Sequence, residues 1–242
     1  VYKLTKPDGF DFYSGRINYR HAIGSIIRVT DYDPPEHGVC GRGLHVSRDP
    51  NDCFIGAKIP CAAFRVQGVG RIAGDAQKVR YKAIKVFEEI HDLDALFGWR
   101  YSEAANPIHP FKLSFPKTTD REISLLKDWD SVGDSVWDSV GDSVGDFVGD
   151  FVWDSMGASV WDSVGASVWD SMGASVWDSV GAYIGSFFPG IKTWKYIDHK
   201  LGQYPFQPAV DLWKMGLVPS FDGKTWRLHG GEKGKILWEG TV

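Results

Sequence analysis

Between residues 129 and 188 every fourth position is apolar, without exception. The stretch reads as fifteen four-residue units of the form Trp/Gly–Asp/Ala–Ser–Val, unbroken from Trp129 to Phe188. The fourth position is Val in eleven units, Met156 and Met172 in two, and Ile184 and Phe188 in the last two. The third is Ser except at Phe147, Phe151, Tyr183 and Phe187, and the first alternates Trp with Gly over much of the array. In one long helix, four residues turn about 400°, so the Val stripe drifts by about 40° per unit and circles the axis. The nine Gly residues would each cost such a helix about 1 kcal/mol relative to Ala. In one flat strand, alternation puts Val with Asp on one face and Trp or Gly with Ser on the other, so neither face is apolar. A chain that bends every few residues meets the pattern: Val points inward, Gly and Asp serve corners, and Ser bonds the backbone at bends. The array is therefore expected to be a β-solenoid with Trp stacked in ladders. Packed short helices making Gly, Ala and Ser contacts are the alternative.

The flanks follow other rules. Ser25–Thr30, Ala63–Gln67 and Ala83–Phe87 are β-branched or aromatic runs bounded by Gly, Pro or charge, and predict strands. Pro7-Asp8-Gly9 and Asp33-Pro34-Pro35 predict turns, and Asp92 to Arg100 a short helix. Asn106 to Thr119, with three prolines, reads as a linker. After the array, Asp211–Gly216 predicts a helical turn stopped by Gly, and Thr225–His229 with Lys235–Glu239 a hairpin. A repeat array exposes its core at its last coil, so this aromatic-rich segment is expected to cap it. The expected architecture is an α+β domain at 1–120, a repeat solenoid at 129–188 and a small cap at 189–242.

Charge changes the picture. The net charge is -4, but the array holds ten Asp and no Lys, Arg or Glu, so it carries -10 and the remainder +6. Asp130, Asp134, Asp138, Asp142, Asp146, Asp150 and Asp154 fill the second position of the first seven units. In a solenoid they would form ladders spaced by about 4.8 Å. Such a surface suits a basic or DNA-binding protein partner, by imitating a nucleic-acid backbone. A divalent cation is a further possibility, and solubility of a Trp-rich array the plain alternative. Direct nucleic-acid binding is not expected. No apolar run approaches the roughly 18 residues of a membrane span, and Val-Tyr-Lys-Leu at the start does not read as a signal peptide. An odd cysteine count without paired spacing argues against a disulfide scaffold. Cys40, His45, Cys53 and Cys61 match no zinc-ligand spacing, so buried thiols and no metal are expected.

Two resemblances bear on function. The repeat, as in Trp161-Asp-Ser-Val-Gly-Ala-Ser-Val168, resembles one found in uncharacterised bacteriophage and bacterial proteins. Gly216-Leu-Val-Pro-Ser-Phe-Asp-Gly-Lys-Thr-Trp-Arg-Leu-His229 is similar to the C-terminal segment of those proteins, and Cys40–Ser47 with Lys82–Ile90 to a domain of unknown function that precedes such repeats. This implies a phage-related binding or structural protein, in the host cytoplasm or the virion, with oligomers possible. Gly41-Arg-Gly-Leu-His-Val-Ser47 also resembles the strand of ADP-ribosyltransferases that holds the nicotinamide end of NAD. That resemblance implies roles for His45 and Ser47, for Glu88 or Glu89 as the carboxylate facing the developing cation, and for Lys3 on the first strand. Those enzymes use Arg or His there, and Lys3 lacks the bidentate fork. The expectation leans to a binding protein without cofactor, with an NAD-dependent enzyme, intact or degenerate, as the alternative.

Overall fold

The computed structural model describes residues 1–242 apart from 39, 115–116, 133–135 and 162–175. It divides into two compact units, Val1–Gly98 and Trp99–Val242.

The first unit is built on a five-stranded antiparallel sheet. Its strands are β1 (Tyr2–Thr5), β2 (Ile26–Arg28), β3 (Leu44–Ser47), β4 (Ala62–Gly74) and β5 (Lys78–Ile90), in the order β2-β5-β3-β1-β4. β4 and β5 form one long hairpin, pairing Ala63 with Ile90 at one end and Gly74 with Val79 at the other. β5 also pairs with β2 and β3, and β4 with β1. Because β1 in turn meets β3, the sheet closes on itself. That last junction is a single pair, Tyr2 opposite Ser47. Alternation pairs Leu44 with Val46, Phe64 with Val66 and Ile84 with Val86 on their strands, and these six join Val79 and Tyr19 in one core. The three predicted strand runs overlap β2, β4 and β5. Helix α1 (Leu93–Phe97) begins where the Asp92 carboxylate accepts from Ala95 N at 3.0 Å, and ends at Gly98 in the left-handed region.

The second unit overturns the solenoid. The described part of the array is helical: α3 (Asp120–Asp130) leads into it, followed by α4 (Val136–Val148), α5 (Asp150–Val160) and α6 (Trp177–Gly185). The drift argument fails because no helix among the described residues of the array is long. The buried Val136, Val140 and Val144 of α4 span two steps of the repeat, over which the stripe turns by only about 80°, less than the width of an ordinary buried helix face. Gly149, at φ 94°, then separates α4 from α5. Val136, Val140 and Val144 on α4 are buried, as are Val152, Met156 and Val160 on α5 and Val180 and Ile184 on α6. The Val positions do point inward, from helices rather than coils.

Trp and Gly alternate for a related reason. α4 packs against both α5 and α6. A Cβ on Gly181 would sit 3.2 Å from the Trp137 ring, and one on Gly141 would sit 3.6 Å from Trp153. Each ring lies over a neighbouring helix's glycine, and the buried Ser139, Ser143 and Ser179 keep the approach close. Trp137 makes edge contacts with Trp153 at 5.0 Å and Trp177 at 4.9 Å, and Trp161 stacks on Trp177 at 4.5 Å. The short helix α2 (Tyr101–Ala105) precedes the array. After it come α7 (Gln207–Lys214) and a meander of β6 (Leu217–Phe221), β7 (Trp226–Gly230) and β8 (Lys235–Gly240). The predicted helical turn and hairpin lie in α7, β7 and β8. Pro110 and Phe111, in the stretch read as a linker, are buried, and Ile108 bonds both Tyr183 and Trp213. Among the described residues no helix is long and apolar enough to cross a membrane.

Candidate functional site

The first unit carries a cleft of about 720 Å³. It opens where β1 and β3 part after their single pair. Lys3 of β1 and His45 and Ser47 of β3 all line it, together with Asp11, Tyr19, Cys53 and Lys78. Three of the residues proposed from the transferase resemblance are thus brought to one place. The other two are not. Glu88 pairs with Arg65 at 2.9 Å on the exposed surface, and Glu89 is held by Arg20, whose Nε donates at 2.6 Å. The hydrogen bond from Arg20 holds the Glu89 carboxyl below its ordinary range. Neither carboxylate lines the cleft.

The notch between the two strands is filled by Cys53, from the 3₁₀ turn Asn51–Ile55. Its thiol donates to Tyr2 O at 3.5 Å and is reached by the Ser47 hydroxyl and by backbone N–H groups of Ser47 and Leu4. Burial nevertheless raises its pKa, so the sulfur is held as a thiol. Lys3 is half-buried, with Nζ 5.6 Å from the centre of the Tyr19 ring. Burial lowers its pKa; Cys53 and Asp11 act against the shift and Lys78 adds to it. Asp11 is buried, and burial disfavours its charge. Four bonds offset this: Ser14 N at 2.6 Å, Ser14 Oγ at 2.8 Å, Arg16 N at 3.2 Å and Ile17 N at 3.1 Å. With Lys3 nearby, the net effect holds its carboxyl below the ordinary value. Asp11, Tyr19, Cys53 and Lys78 were missed from the sequence, since none stands in a motif. Tyr13, at the rim, is 98% exposed.

The Gly41-Arg-Gly43 motif has a structural cause in Arg80. Arg80 is fully buried, directly opposite His45 in register, and its Nη2 donates to Pro34 O and Gly38 O, each at 3.2 Å. A Cβ on Gly41 would lie 1.9 Å from Arg80 Nη1, and one on Gly43 would lie 2.5 Å from Arg80 Cγ. Both glycines also hold positive φ, 150° and 149°, which disfavours a side chain. Around them Arg42 is clamped by Asp33, with Nη2 to Oδ1 at 2.7 Å and N to Oδ2 at 2.7 Å.

No family model, curated protein or solved structure matches the chain.

The acidic column is also placed. Asp130, Asp138, Asp142, Asp146, Asp150 and Asp154 are exposed; Asp134 lies outside the described residues. Three of them are engaged within their own unit. Asp142 accepts from the Tyr196 hydroxyl at 2.5 Å, Asp146 pairs with Lys195 at 2.6 Å, and Asp130 accepts from Trp226 Nε1 at 3.0 Å. The described part of the row is helical and serves in part to hold the C-terminal segment, a use the solenoid picture hid. Among the described residues no group of three His, Cys, Asp or Glu is arranged to hold a metal ion. Of the three thiols expected to be buried, Cys61 is; Cys53 is half-buried and Cys40 exposed.

Proposed function

We propose that the chain is a binding protein whose first unit takes an anionic small molecule carrying a planar ring, and does not transfer ADP-ribose. The observation behind this reading is the parting of β1 and β3, which gathers Lys3, Ser47 and Lys78 around one cleft. Lys78 lies close enough to Lys3 to disfavour its charge. An oxyanion between them would relieve that repulsion. Tyr13, left in solvent at the rim, offers a face for a planar ring. NAD, ADP-ribose and ADP have this chemistry. Transfer chemistry is disfavoured because both candidate carboxylates are committed to arginines elsewhere.

Calorimetric titration with ADP, ADP-ribose and NAD tests the reading. Binding is expected without release of nicotinamide from NAD, and Lys78→Ala should weaken it by about tenfold, near 1.4 kcal/mol. NAD turnover that disappears in His45→Ala would replace binding by catalysis. No heat with any of the three ligands would remove the nucleotide-like occupant.

A further inference from the structure

Among the described residues Lys3 Nζ makes no ion pair and no hydrogen bond. That is unusual for an amine set into a cleft beside a buried carboxylate. The carboxylate, Asp11, has its oxygens occupied by Ser14, Arg16 and Ile17 of its own loop. The amine lies over the Tyr19 face, with Ile17, Leu44 and Val46 in the cleft walls and the Cys53 thiol and Lys78 nearby; His45, Ser47 and Asp52 line the rest of the cleft. An ammonium whose only role was to anchor an anion would gain from an exposed position, where its stem is free and its charge fully hydrated. A partly desolvated amine near a second cation has the environment of a nucleophilic lysine.

We propose that Lys3 condenses with a carbonyl group of the cleft's occupant, so that the ligand is an aldehyde or ketone that also carries an oxyanion. The free amine adds to the carbonyl carbon to give a carbinolamine. The two amine protons then leave with the former carbonyl oxygen as water, and a carbon–nitrogen double bond forms at Nζ. No oxidant or reductant is involved, and hydrolysis reverses the step. The burial that lowers the Lys3 pKa enlarges the free-base fraction the addition requires. Cys53 stays a thiol and does not compete as a thiolate. Lys78 is left to hold the oxyanion. The proposal rests on the reading of the cleft as an anion site and adds the reactive group to it.

The probe is pyridoxal 5′-phosphate, which joins an aldehyde, a planar ring and a phosphate. The full chain is treated with a substoichiometric amount, reduced with cyanoborohydride and mapped by tandem mass spectrometry, which separates Lys3 from the α-amino group of Val1. Lys3 is expected to be labelled at least about tenfold faster than the exposed Lys200, and ADP to protect it. Pyridoxal without the phosphate should label Lys3 more slowly. Lys3→Arg keeps the charge and should lose the fast label. Lys78→Arg should retain it, since a cation still meets the phosphate. Label spread evenly over surface lysines would overturn the proposal. If ADP binds by calorimetry while Lys3 stays unlabelled, the imine fails and the anion cleft stands. If neither is seen, both fail.

Discussion

At the scale of single residues, the sequence shows which side chains are unusual but not what they face. Gly41-Arg-Gly43 was visible as a motif. Its cause, the Arg80 side chain lying against both glycines, comes from another strand and leaves no local signal. Gly43→Ala should therefore cost roughly 1–3 kcal/mol in urea melts, through overpacking and a strained φ. Gly56→Ala, with open space around it and ordinary negative φ, should be nearly silent. Equal effects would show that Arg80 moves aside freely. Glu88 and Glu89 teach the converse. A carboxylate at a strand end looks available until its arginine is found across the sheet or on a loop. His229 gives a pH prediction. It is buried in β7, its Nε2 lies 2.8 Å from Ser220 Oγ and its Nδ1 lies 3.0 Å from Gly234 O. With the Nδ1 proton directed at that carbonyl, Nε2 accepts from Ser220, and the ring is held neutral. Burial lowers its pKa from the ordinary 6.5, and Arg227 adds to the shift. The unfolded chain therefore takes the proton first. The stability this ring contributes is complete above the unfolded value and is lost as pH falls through the folded one. His229→Gln should flatten that part of a stability–pH profile, read from melts between neutral pH and pH 5. An unchanged slope would show that the ring can be protonated in place.

At the scale of elements, the flanking strands and the C-terminal hairpin were legible because β-branched runs and turn residues act locally. The array was not. Its period was read correctly, but the choice between helix and solenoid depends on where the chain breaks, and Gly149 is one of nine glycines that look alike in sequence. Short helices also draw their stability from packing rather than propensity, so a poor helix-forming composition was a weak guide. Burial makes the arrangement testable. Val140 is completely buried on α4 and Asp138 is exposed two residues earlier. Val140→Asp would place an uncompensated charge among the helices and should cost more than about 3 kcal/mol, with loss of helical circular dichroism. Asp138→Ala should change stability by less than about 0.5 kcal/mol. Gly181→Val should damage the pairing of α4 with α6, because its side chain meets the Trp137 ring. Asp142→Ala and Asp146→Ala should loosen the segment around Lys195 and Tyr196, seen as faster hydrogen exchange there. Protection left intact at Lys195 in both variants would return these aspartates to the role of free acidic surface.

At the scale of the molecule, the division into two units separates the cleft from the repeat. Every residue that lines the cleft lies between Lys3 and Lys78, and the first unit closes its own sheet. The boundary is sharp in chemical terms. Gly98 ends α1 with left-handed φ, and the next residue, Trp99, is buried among Tyr101 and Phe188 of the second unit. Divided between the units, the charge is less uneven than between the array and the rest of the chain. The first unit holds fourteen Lys and Arg against twelve Asp and Glu, a net +2, and the second holds thirteen against nineteen, a net -6. The second unit's basic residues, Lys195 among them, neutralise part of the acidic array from within. If the cleft belongs to the first unit alone, residues 1–98 produced by themselves should fold into a strand-rich domain and bind ADP with a Kd within about threefold of the full chain, under about 0.7 kcal/mol. Residues 99–242 should keep the helical spectrum and bind none. Circular dichroism and calorimetry on the two fragments decide the matter. A folded first fragment that has lost binding would mean that the site needs the second unit, and the cleft between β1 and β3 would then be too little to explain it.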